Sequence, residues 1–559
     1  MPMKPVRVAR APCRLHFASP VWYALLVSAM YLALLNQRFW REAVALCWRG
    51  NAGDLPFLVA LFLLLLSGFS LALLLLPGRR LMHVASGVLF PLGAMAAYTA
   101  DSYGLAVDAD MVRSLAHATR GEAGALLGPR LLLYALLLGV LPMFVVGSSR
   151  IAPLPLRQHL RHRLLFCGAA LALAALLMSA FAARFNVLLR SHAPYLLVPA
   201  AALQGAARYV ASDLASWRPD GQARQAAPAD APQRLPSSRG SRPLVVLLVV
   251  GETARHASFQ LGGYARPTNP LLSAMPGVYY FSNVTSCGTT TAVSLPCMFS
   301  PLGRDRFTVA GARAVPNALE QLAAAGVRVA WRANNAGSSV ISARLPTVTY
   351  PAQRPGPGAP PALCDAASCL DEAMLAGLEQ ALAQVDRDSL FGFHQMGSHG
   401  PDYFRRYPAA AQRFSPACRR QELTDCSVEE IRNAYDNTIV YTDRFLAAQI
   451  ALLESRSDRL DSALLYLSDH GESLGEQGVF LHGAPYAAAP QEQKRIPLLL
   501  WMSDGYQRRM GMDGRCLTRQ LDQPFSHDNV YHTLLGMMAT SDRHYRTDMD
   551  LLAGCRVSN

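Results

Sequence analysis

PLVVLLVVGET, residues 243–253, is the stretch that decides the fold of this chain. Its leucines and valines run without a polar break, which is typical of a central strand whose two faces are both covered by helices. A second such run, SALLYLS at 462–468, is followed directly by Asp469 and His470, and Glu252 stands just beyond the first run. Because open α/β sheets bind ligands at the carboxyl ends of their strands, the two runs predict an α/β domain with a polar site at one edge.

The N-terminal third of the chain is much richer in long apolar runs. Apolar residues make up 51% of the 559 residues, and long apolar runs lie before residue 185. A membrane helix needs roughly 20 mostly apolar residues. Five stretches are candidates: about 20–36, 55–77, 81–100, 130–147 and 163–184. No small-residue cleavage site follows the first, so we expect a retained helix rather than a signal peptide, and a bundle of five transmembrane helices.

Basic residues predict the orientation of this bundle. Four of them stand at positions 4, 7, 10 and 14, before the first stretch, and Arg79 and Arg80 separate the second stretch from the third. Such loops face the cytoplasm, so five spans place everything after residue 185 on the outer side of the membrane. Arg38, Arg41 and Arg49 in the first outer loop weaken the asymmetry.

The net charge of +13 does not indicate nucleic-acid binding. The sequence has no zinc finger, no aromatic RNA-binding pattern and no basic helix with interleaved aromatic residues. Arginines in short loops of a membrane protein explain the charge, since they orient the chain and attract anionic headgroups.

The cysteines agree with a periplasmic domain. Eight of the eleven follow residue 185 and lie in close pairs, which favours disulfide bonds in an oxidising compartment. The alternative, a cytosolic zinc knuckle, would usually show a paired C-x-x-C pattern that is missing here. The pairs are Cys287 with Cys297, Cys364 with Cys369 and Cys418 with Cys426, and they leave Cys516 and Cys555 for a fourth bridge.

A connecting region separates the two halves. Residues 186–217 are partly amphipathic and predict a helix lying on the membrane surface, whereas 218–242 are rich in Pro, Ala, Arg and Ser and predict a flexible tether. The predicted domains are therefore a transmembrane domain at 1–185, an interfacial helix and linker at 186–242, and a catalytic domain at 243–559.

A nucleophile is predicted in SCGTTTAVSLPCMFS, residues 286–300. Small residues open a helix there, and backbone N–H groups at a helix N-terminus favour a bound anion. Metal coordination turns an alcohol into a nucleophile at neutral pH, but the spacing does not choose among Thr289, Thr290 and Thr291. An ordinary helix start is the plain alternative for this cluster.

Metal ligands are predicted at the two strand ends. Glu252, Asp469 and His470 offer carboxylate oxygens and an imidazole nitrogen, which suit zinc, although a capped turn would also explain S-D-H-G. His399 in GSHG and His482 in LHG strengthen the metal interpretation, because they can hold a phosphate, protonate a leaving oxygen or bind a second metal. A single histidine in such a loop is more often merely solvent-exposed.

Several long motifs together resemble the lipid A phosphoethanolamine transferases, the family that includes the mobile colistin-resistance enzymes. They are VVGETAR (249–255), GYARPTNP (263–270), NVTSCGTTTAVSLPCMFS (283–300), GSHGP (397–401), YDNTIVYTD (435–443) and SDHGESLGE (468–476). The likeness covers nearly the whole chain. It implies five membrane helices, a tethered periplasmic domain of the alkaline-phosphatase and sulfatase type, and a part in polymyxin resistance.

The resemblance also implies the zinc site. Its ligands fall on Glu252, Thr291, Asp469 and His470, and the family's nucleophile stands six residues before the second cysteine, here Cys297, which selects Thr291. This threonine would become modified by phosphoethanolamine during the reaction. Whether one or two zinc ions act is left open.

Other features follow from the same resemblance. His399 and His482 match histidines that serve the substrate phosphate or a second zinc, and three disulfides match the first three cysteine pairs. The implied reaction moves phosphoethanolamine from phosphatidylethanolamine to lipid A or another lipopolysaccharide acceptor. We expect a monomer, and the position of the acceptor group stays open.

The substrate-facing positions depart from the family pattern. Tyr103, Glu122 and Asn335 match, but Ser114 and Ala118 stand where an Asn and a Thr are common. Ser339 replaces a substrate-contacting lysine of some relatives, which removes a charge that could bind phosphate. Our hypothesis is that Arg113 or Arg344 compensates.

Two rival functions remain at this stage. A metal-dependent phosphodiesterase or phosphatase of the same superfamily would use the same nucleophile and pass the group to water. A catalytically inactive envelope protein would need no metal, but the complete set of Glu, Thr, Asp and His argues against it.

Overall fold

The computed structural model describes residues 15–117, 124, 127–153, 155–214, 232–236, 240–335, 341, 345, 347–349, 363–364 and 368–557. The chain forms two compact units. The N-terminal unit consists of Met1–Val107 with Gly128–Gln204, and the C-terminal unit consists of Asp108–Leu127 with Gly205–Asn559. The second unit thus includes a segment of the first half of the chain, while the functional boundaries at 185 and 242 stay a prediction.

The first half of the described chain is helical. Its helices are α1 Pro20–Leu34, α2 Gln37–Cys47, α3 Leu55–Leu75, α4 Arg79–Tyr103, α5 Ala109–His117, α6 Pro129–Ser148, α7 Leu156–Ala180, α8 Ala182–Leu189 and α9 Ala200–Tyr209. Of these, α5 belongs to the C-terminal unit. Helix α6 contains a π-helical segment, and short strands at His16–Phe17 and Arg150–Ile151 pair in parallel.

The prediction of exactly five transmembrane helices is only partly met. Among the described residues, four segments are long and apolar enough to cross a membrane: Ala52–Leu75, Arg79–Tyr103, Pro129–Ser148 and Arg157–Ala180. A fifth crossing requires that α1 and α2, which meet at 74°, act as one broken span. With 15 residues, α1 alone is about 22 Å long, shorter than a hydrocarbon core of about 30 Å.

Asn36 lies at the bend after α1 and fixes the backbone there. Its side-chain nitrogen donates to the carbonyl of Tyr31 at 2.9 Å and to that of Val198 at 2.7 Å, while its oxygen accepts from the Val198 N–H at 2.8 Å. The buried amide therefore joins the last turn of α1, where the Tyr31 carbonyl also accepts from the Leu35 N–H at 3.1 Å, to the backbone of Val198. An apolar count over 20–36 does not register this single polar residue.

An eight-stranded mixed sheet forms the centre of the C-terminal unit. Its strands are β1 Leu244–Gly251, β2 Val278–Thr285, β3 Arg328–Ala333, β4 Thr347–Thr349, β5 Ser389–His394, β6 Asp461–Ser468, β7 Arg495–Met502 and β8 Phe525–Ser526. They lie in the order β8-β2-β7-β6-β1-β5-β3-β4. The predicted central strands at 244–250 and 462–468 are confirmed, and every residue of β1 and β6 is buried.

Helices cover the sheet. Val246 and Leu248 of β1 join a core cluster with Leu319 and Leu534 on one face. On the other face, Phe393 of β5 makes an edge contact with Phe445. Besides α5 and the end of α9, the α-helices in the described part of this unit are α10 Thr291–Met298, α11 Val309–Arg313, α12 Ala318–Ala324, α13 Leu378–Ala383, α14 Val428–Glu454, α15 Gln491–Lys494, α16 Asp504–Met510, α17 Gly514–Gln520 and α18 Val530–Met537.

The register of the three central strands determines what meets at the sheet edge. Strand β1 is parallel to β6 and β5, with Gly251 opposite Ser468 and Val250 opposite His394. The residues that follow each strand therefore emerge side by side. Two of them, Glu252 and Asp469, carry the carboxylates that the sequence places at strand ends.

Covalent and strand contacts complete the C-terminal unit. The part of the predicted tether at Gln233–Arg234 forms a strand that pairs with Thr540–Ser541, so this part is ordered against the unit. Four disulfide bonds occur among the described residues, in the same pairs that the sequence suggests: Cys287–Cys297, Cys364–Cys369, Cys418–Cys426 and Cys516–Cys555.

Candidate active site

The threonine cluster precedes and opens helix α10, and its three hydroxyls have different surroundings. Thr289 Oγ1 donates to the carbonyl of Ala484 at 2.7 Å, and Thr290 is the N-cap residue in an extended conformation. Thr291 is the first helical residue, and its Oγ1 lies 3.1 and 3.0 Å from the two carboxylate oxygens of Glu252. The structure thus directs Thr291, of the three candidates, at a carboxylate.

Glu252, Asp469 and His470 meet around this hydroxyl, and all three are fully buried. His470 Nε2 lies 3.4 Å from Thr291 Oγ1, 3.5 Å from Glu252 Oε1 and 3.3 Å from Asp469 Oδ2. Four side chains from three separate segments therefore place oxygen and nitrogen atoms within a few ångströms of one point.

The backbone around Glu252 is strained to form this arrangement. Thr253 has a φ of 54°, in the left-handed region that β-branched residues rarely adopt. In this conformation its N–H donates to Asp469 Oδ1 at 3.1 Å, while its carbonyl accepts from the Tyr435 hydroxyl at 2.7 Å. The strained conformation thus lets the segment after β1 form a hydrogen bond to the Asp469 carboxylate.

Asp469 is held as an anion. Burial alone would raise its pKa, but the positive potential of His470 and His394 and the hydrogen bond from the Thr253 N–H together lower the pKa below its ordinary value. Its Oδ1 also accepts from the His470 N–H at 2.7 Å. Its buried Oδ2 has no hydrogen-bond partner among the described residues, which suits an oxygen that binds a cation.

A hydrogen bond selects the tautomer of His470. Its Nδ1 lies 3.0 Å from the carbonyl of Gly471, an acceptor, so Nδ1 carries the proton. Nε2 then faces Thr291 and the two carboxylates, where its lone pair would bind a metal ion. A metal-binding imidazole usually donates the N–H of its other ring nitrogen to an acceptor in this way.

His399 and His482 lie beside His470. The ring centroids of His470 and His482 are 4.5 Å apart, and those of His399 and His482 are 5.2 Å apart. Burial, followed by the positive potential of His482 and of Arg406, lowers the pKa of His399 well below its ordinary value. His399 is therefore neutral at physiological pH.

Glu472 is a buried partner of His482 that sequence reasoning missed. Its Oε2 accepts from His482 Nδ1 at 2.8 Å, and its Oε1 accepts from the Tyr403 hydroxyl at 2.6 Å. This pair leaves His482 Nε2 directed at the site, as a carboxylate orients the imidazole of a catalytic triad. The signal in the sequence was the glutamate two residues after His470 in SDHGES.

His394 was also missed. It ends β5, is fully buried, and places Nε2 3.7 Å from Glu252 Oε2. The run LFGFHQM predicts a strand, and a histidine inside such a run carries no spacing signal of its own. Its position opposite Val250 in the register is what brings it to the site.

The predicted substrate contacts have different locations. Asn335 Nδ2 donates to Glu252 Oε2 at 2.5 Å, so in this structure it contacts a site carboxylate. Tyr103 lies in the N-terminal unit, where its hydroxyl is 3.2 Å from that of Tyr98. Glu122, Ala118, Ser339 and Arg344 lie outside the described residues.

Ser114 and Arg113 lie on α5, which packs against α10 in the C-terminal unit. Arg113 is buried and pairs with Asp110 at 2.5 Å. Met111 of the same helix lies close to Gly483, the residue after His482. The Cε atom of Met111 would be 3.2 Å from a Cβ atom added at this glycine. Helix α5 therefore forms part of the surroundings of the nucleophile.

The arrangement of donors fits a metal ion. Glu252, His470 and His482 each offer a ligand atom, and these atoms lie within 4.8 Å of one another. The other such group among the described residues, Cys287 with Cys297 and Asp528, is not a metal site, because its two sulfur atoms are bonded to each other.

Comparison with known proteins defines the class. The sulfatase family profile matches residues 245–540, and the profile described as phosphoethanolamine transferase EptA/EptB matches residues 61–214. Together with the fold and the site, these matches define a membrane-anchored enzyme with a catalytic domain of the alkaline-phosphatase and sulfatase type.

Full-length relatives identify the family. The chain is 34% identical to phosphoethanolamine transferase EptA of Escherichia coli K12 over 546 residues, which cover 95% of this chain and 96% of that protein. It is 35% identical to phosphatidylethanolamine transferase Mcr-1 of Escherichia coli, over 88% of this chain and 90% of that protein. The chain therefore belongs to the phosphoethanolamine transferase family, as the motifs indicate, and is a transferase enzyme.

A solved structure agrees with the assignment. The integral membrane protein lipooligosaccharide phosphoethanolamine transferase A of Neisseria meningitidis superposes with a TM-score of 0.86 at 30% identity. The match covers 97% of this chain and 100% of that chain. The interpretation as a catalytically inactive envelope protein is thereby set aside.

Proposed function

We propose that this enzyme transfers phosphoethanolamine from phosphatidylethanolamine to lipid A or another lipopolysaccharide acceptor, with Thr291 carrying the group as a phosphothreonine. The observation that carries the proposal is the position of Thr291 Oγ1, within 3.1 Å of both oxygens of Glu252 and 3.4 Å from His470 Nε2. A hydroxyl so placed, at the N-terminus of a helix, suits attack on an anionic phosphoryl group.

Zinc is the cofactor that these residues fit best. Glu252, Asp469 and His470 would hold it together with Thr291. The buried Oδ2 of Asp469 supports this assignment, because it lies 3.3 Å from His470 Nε2 and accepts no hydrogen bond among the described residues. Bound zinc supplies a Lewis acid that favours the alkoxide form of an alcohol and neutralises charge on phosphoryl oxygens. The number of zinc ions stays open, since His399 and His482 offer nitrogen atoms for a second.

The proposed transfer of phosphoethanolamine takes place in two steps. In the first, Thr291 Oγ forms a bond to phosphorus, the bond from phosphorus to the glycerol oxygen breaks, and diacylglycerol leaves with a proton. In the second, an acceptor oxygen loses its proton and forms a bond to the same phosphorus, the bond from phosphorus to Thr291 Oγ breaks, and this oxygen takes up a proton to restore the hydroxyl. Ping-pong kinetics follow from this scheme.

The histidines are suited to the proton transfers. His482, oriented by Glu472, can pass a proton from Nε2 to the leaving glycerol oxygen and accept one from the acceptor in the second step. His399, whose pKa is lowered, is suited to contact the phosphoryl group as a neutral imidazole. Asn335 would keep the Glu252 carboxylate in place.

The cellular location belongs to the same proposal. We place the membrane helices in a bacterial inner membrane and the C-terminal unit in the periplasm, supported by the four disulfide bonds and the basic cytoplasmic loops. Both lipid substrates would then reach the enzyme at the outer surface of that membrane.

Mass spectrometry of lipid A tests the proposal. Cells that express the wild type should gain lipid A with added phosphoethanolamine, and cells with an equal amount of Thr291→Ala should not. The rival hydrolase predicts free phosphoethanolamine and unmodified lipid A. Either that result, or full modification by Thr291→Ala, contradicts the proposed function.

A further inference from the structure

His527 is a buried imidazole outside the group of residues that surrounds Thr291, with 1% of its surface exposed. Its Nδ1 accepts a hydrogen bond from the Cys287 N–H at 3.1 Å, and its Nε2 lies 3.0 Å from the carbonyl of Ser468. A neutral ring protonated at Nε2 satisfies both contacts, accepting at one nitrogen and donating at the other.

The two backbone groups that this ring joins belong to different parts of the site. Cys287 stands four residues before Thr291 and is bonded through its disulfide to Cys297 within α10. Ser468 is the last residue of β6 and directly precedes Asp469. The imidazole of His527 is thus a bridge between the nucleophile segment and the segment that carries Asp469 and His470.

Ser468 extends the bridge to the third segment. Its Oγ accepts from the Ala254 N–H at 2.8 Å and donates to the carbonyl of His470 at 2.8 Å. Ala254 lies two residues beyond Glu252. Through Ser468, His527 is connected to all three segments that supply side chains to the candidate active site.

The backbone carbonyl of Cys287 is held as well. The Arg304 guanidinium donates to the Cys287 carbonyl and stacks 3.2 Å from the centroid of the Tyr486 ring. The Arg304 N–H in turn donates to Asp528 Oδ1 at 2.8 Å, next to His527 in the chain. The turn at His527–Asn529 therefore contacts the Cys287 N–H directly and its carbonyl through Arg304.

We propose that His527 is a positioning residue for the transfer reaction, which sets the position of Thr291 against Glu252 and Asp469 by joining Cys287 to Ser468. The inference rests on the proposed function, because it assigns His527 to the attack by Thr291. Misplacement of a reacting atom by about 1 Å costs up to about a hundredfold in rate, so a rigid bridge of this kind matters to chemistry as well as to folding.

Three substitutions separate the two hydrogen bonds. His527→Asn places an amide oxygen near the position of Nδ1 and keeps the acceptor for Cys287. His527→Gln reaches towards Ser468 instead, and His527→Phe removes both contacts at similar volume. The full-length enzyme in detergent is given labelled phosphatidylethanolamine without acceptor, and the rate of Thr291 labelling, the zinc content and the Tm are measured.

We expect His527→Phe to slow Thr291 labelling by about 10- to 100-fold with zinc still bound, in the range found for partners behind catalytic ligands. His527→Asn should restore most of the rate and His527→Gln less, because the Cys287 contact positions the nucleophile segment. Rates that follow the Tm alone, with no advantage for His527→Asn over His527→Gln, would overturn the inference.

His532 is the matched control. It is also a buried histidine with a lowered pKa, and its Nδ1 accepts from the Arg546 N–H at 3.1 Å, but it joins no segment of the site. His532→Phe should lower the Tm and leave the labelling rate unchanged; an equal loss of rate in this variant contradicts a positioning role for His527. A wild type that is not labelled at Thr291 contradicts the proposed function itself, which separates the two failures.

Discussion

Replacement of Glu472 by glutamine isolates the role of the carboxylate behind His482. Glu472 is fully buried and accepts two hydrogen bonds, from His482 Nδ1 at 2.8 Å and from the Tyr403 hydroxyl at 2.6 Å. A glutamine at this site has one oxygen to accept with, and its NH₂ group faces the other donor. Glu472→Gln therefore loses one hydrogen bond to a charged group and gains a conflict between two donors.

The magnitude follows from the strength of such bonds. A hydrogen bond to a charged group contributes about 1.5–3 kcal/mol. If His482 turns away or adopts the other tautomer, this free energy is added to the barrier of the proton transfer. About 2 kcal/mol in the transition state corresponds to roughly a 30-fold loss in kcat. We expect that loss with zinc retained, because Glu472 is not among the proposed ligands.

The assay is the initial rate of transfer from phosphatidylethanolamine to lipid A by purified full-length enzyme, with the Tm and zinc content measured in parallel. Glu476→Gln is the control, since Glu476 lies in the same segment but accepts from Arg255 Nη1 at 2.7 Å. This control should change stability and not kcat. A wild-type kcat for Glu472→Gln, or an equal fall for Glu476→Gln, refutes the reasoning.

Three further predictions concern pH, covalent structure and metal. Burial lowers the pKa of His527 from 6.5 to about 4, so the contribution of this histidine to stability is fully present above pH 6.5 and falls by about 3 kcal/mol as the pH is lowered towards 4. Denaturant unfolding at pH 7.5 and 4.5 should show this loss, and the loss should be smaller in His527→Asn. A difference in unfolding free energy between the two proteins that does not change with pH would contradict the prediction. Replacing Cys516 and Cys555 by serine removes a disulfide bond that closes a loop of 39 residues. The free energy of unfolding should fall by about 4 kcal/mol, and kcat should be retained in the folded fraction. An unchanged Tm in calorimetry would argue against this disulfide bond. A strong chelator should abolish transfer and lower the Tm, and added zinc should restore both while magnesium should not; full activity of demonstrably metal-free enzyme would exclude zinc.

Much of the catalytic unit could be predicted because its signals are local. The runs at 244–250 and 462–468 have no polar break, and a parallel arrangement of two such strands brings Glu252 next to Asp469. Prediction of these strands and their polar ends therefore required no knowledge of the fold.

Other parts depend on contacts that are distant in sequence. Spacing could not choose among the three threonines, because a shift of one residue in the start of α10 exchanges their directions. His394 reaches Glu252 only through the pairing of β5 with β1, and His527 reaches the site from 236 residues beyond Thr291 through the β8–β2 edge. The number of membrane crossings depends on the 74° bend after α1, where Asn36 bonds to Val198, a partner 162 residues away in the sequence.

The most direct test of the central claim is to identify the modified residue. Full-length enzyme is incubated with phosphatidylethanolamine in the absence of acceptor, quenched in acid, digested and sequenced by tandem mass spectrometry. The account predicts phosphoethanolamine on Thr291, released when lipid A is added before the quench. Modification of a different residue, or a peptide around Thr291 that stays unmodified while transfer proceeds, would contradict it.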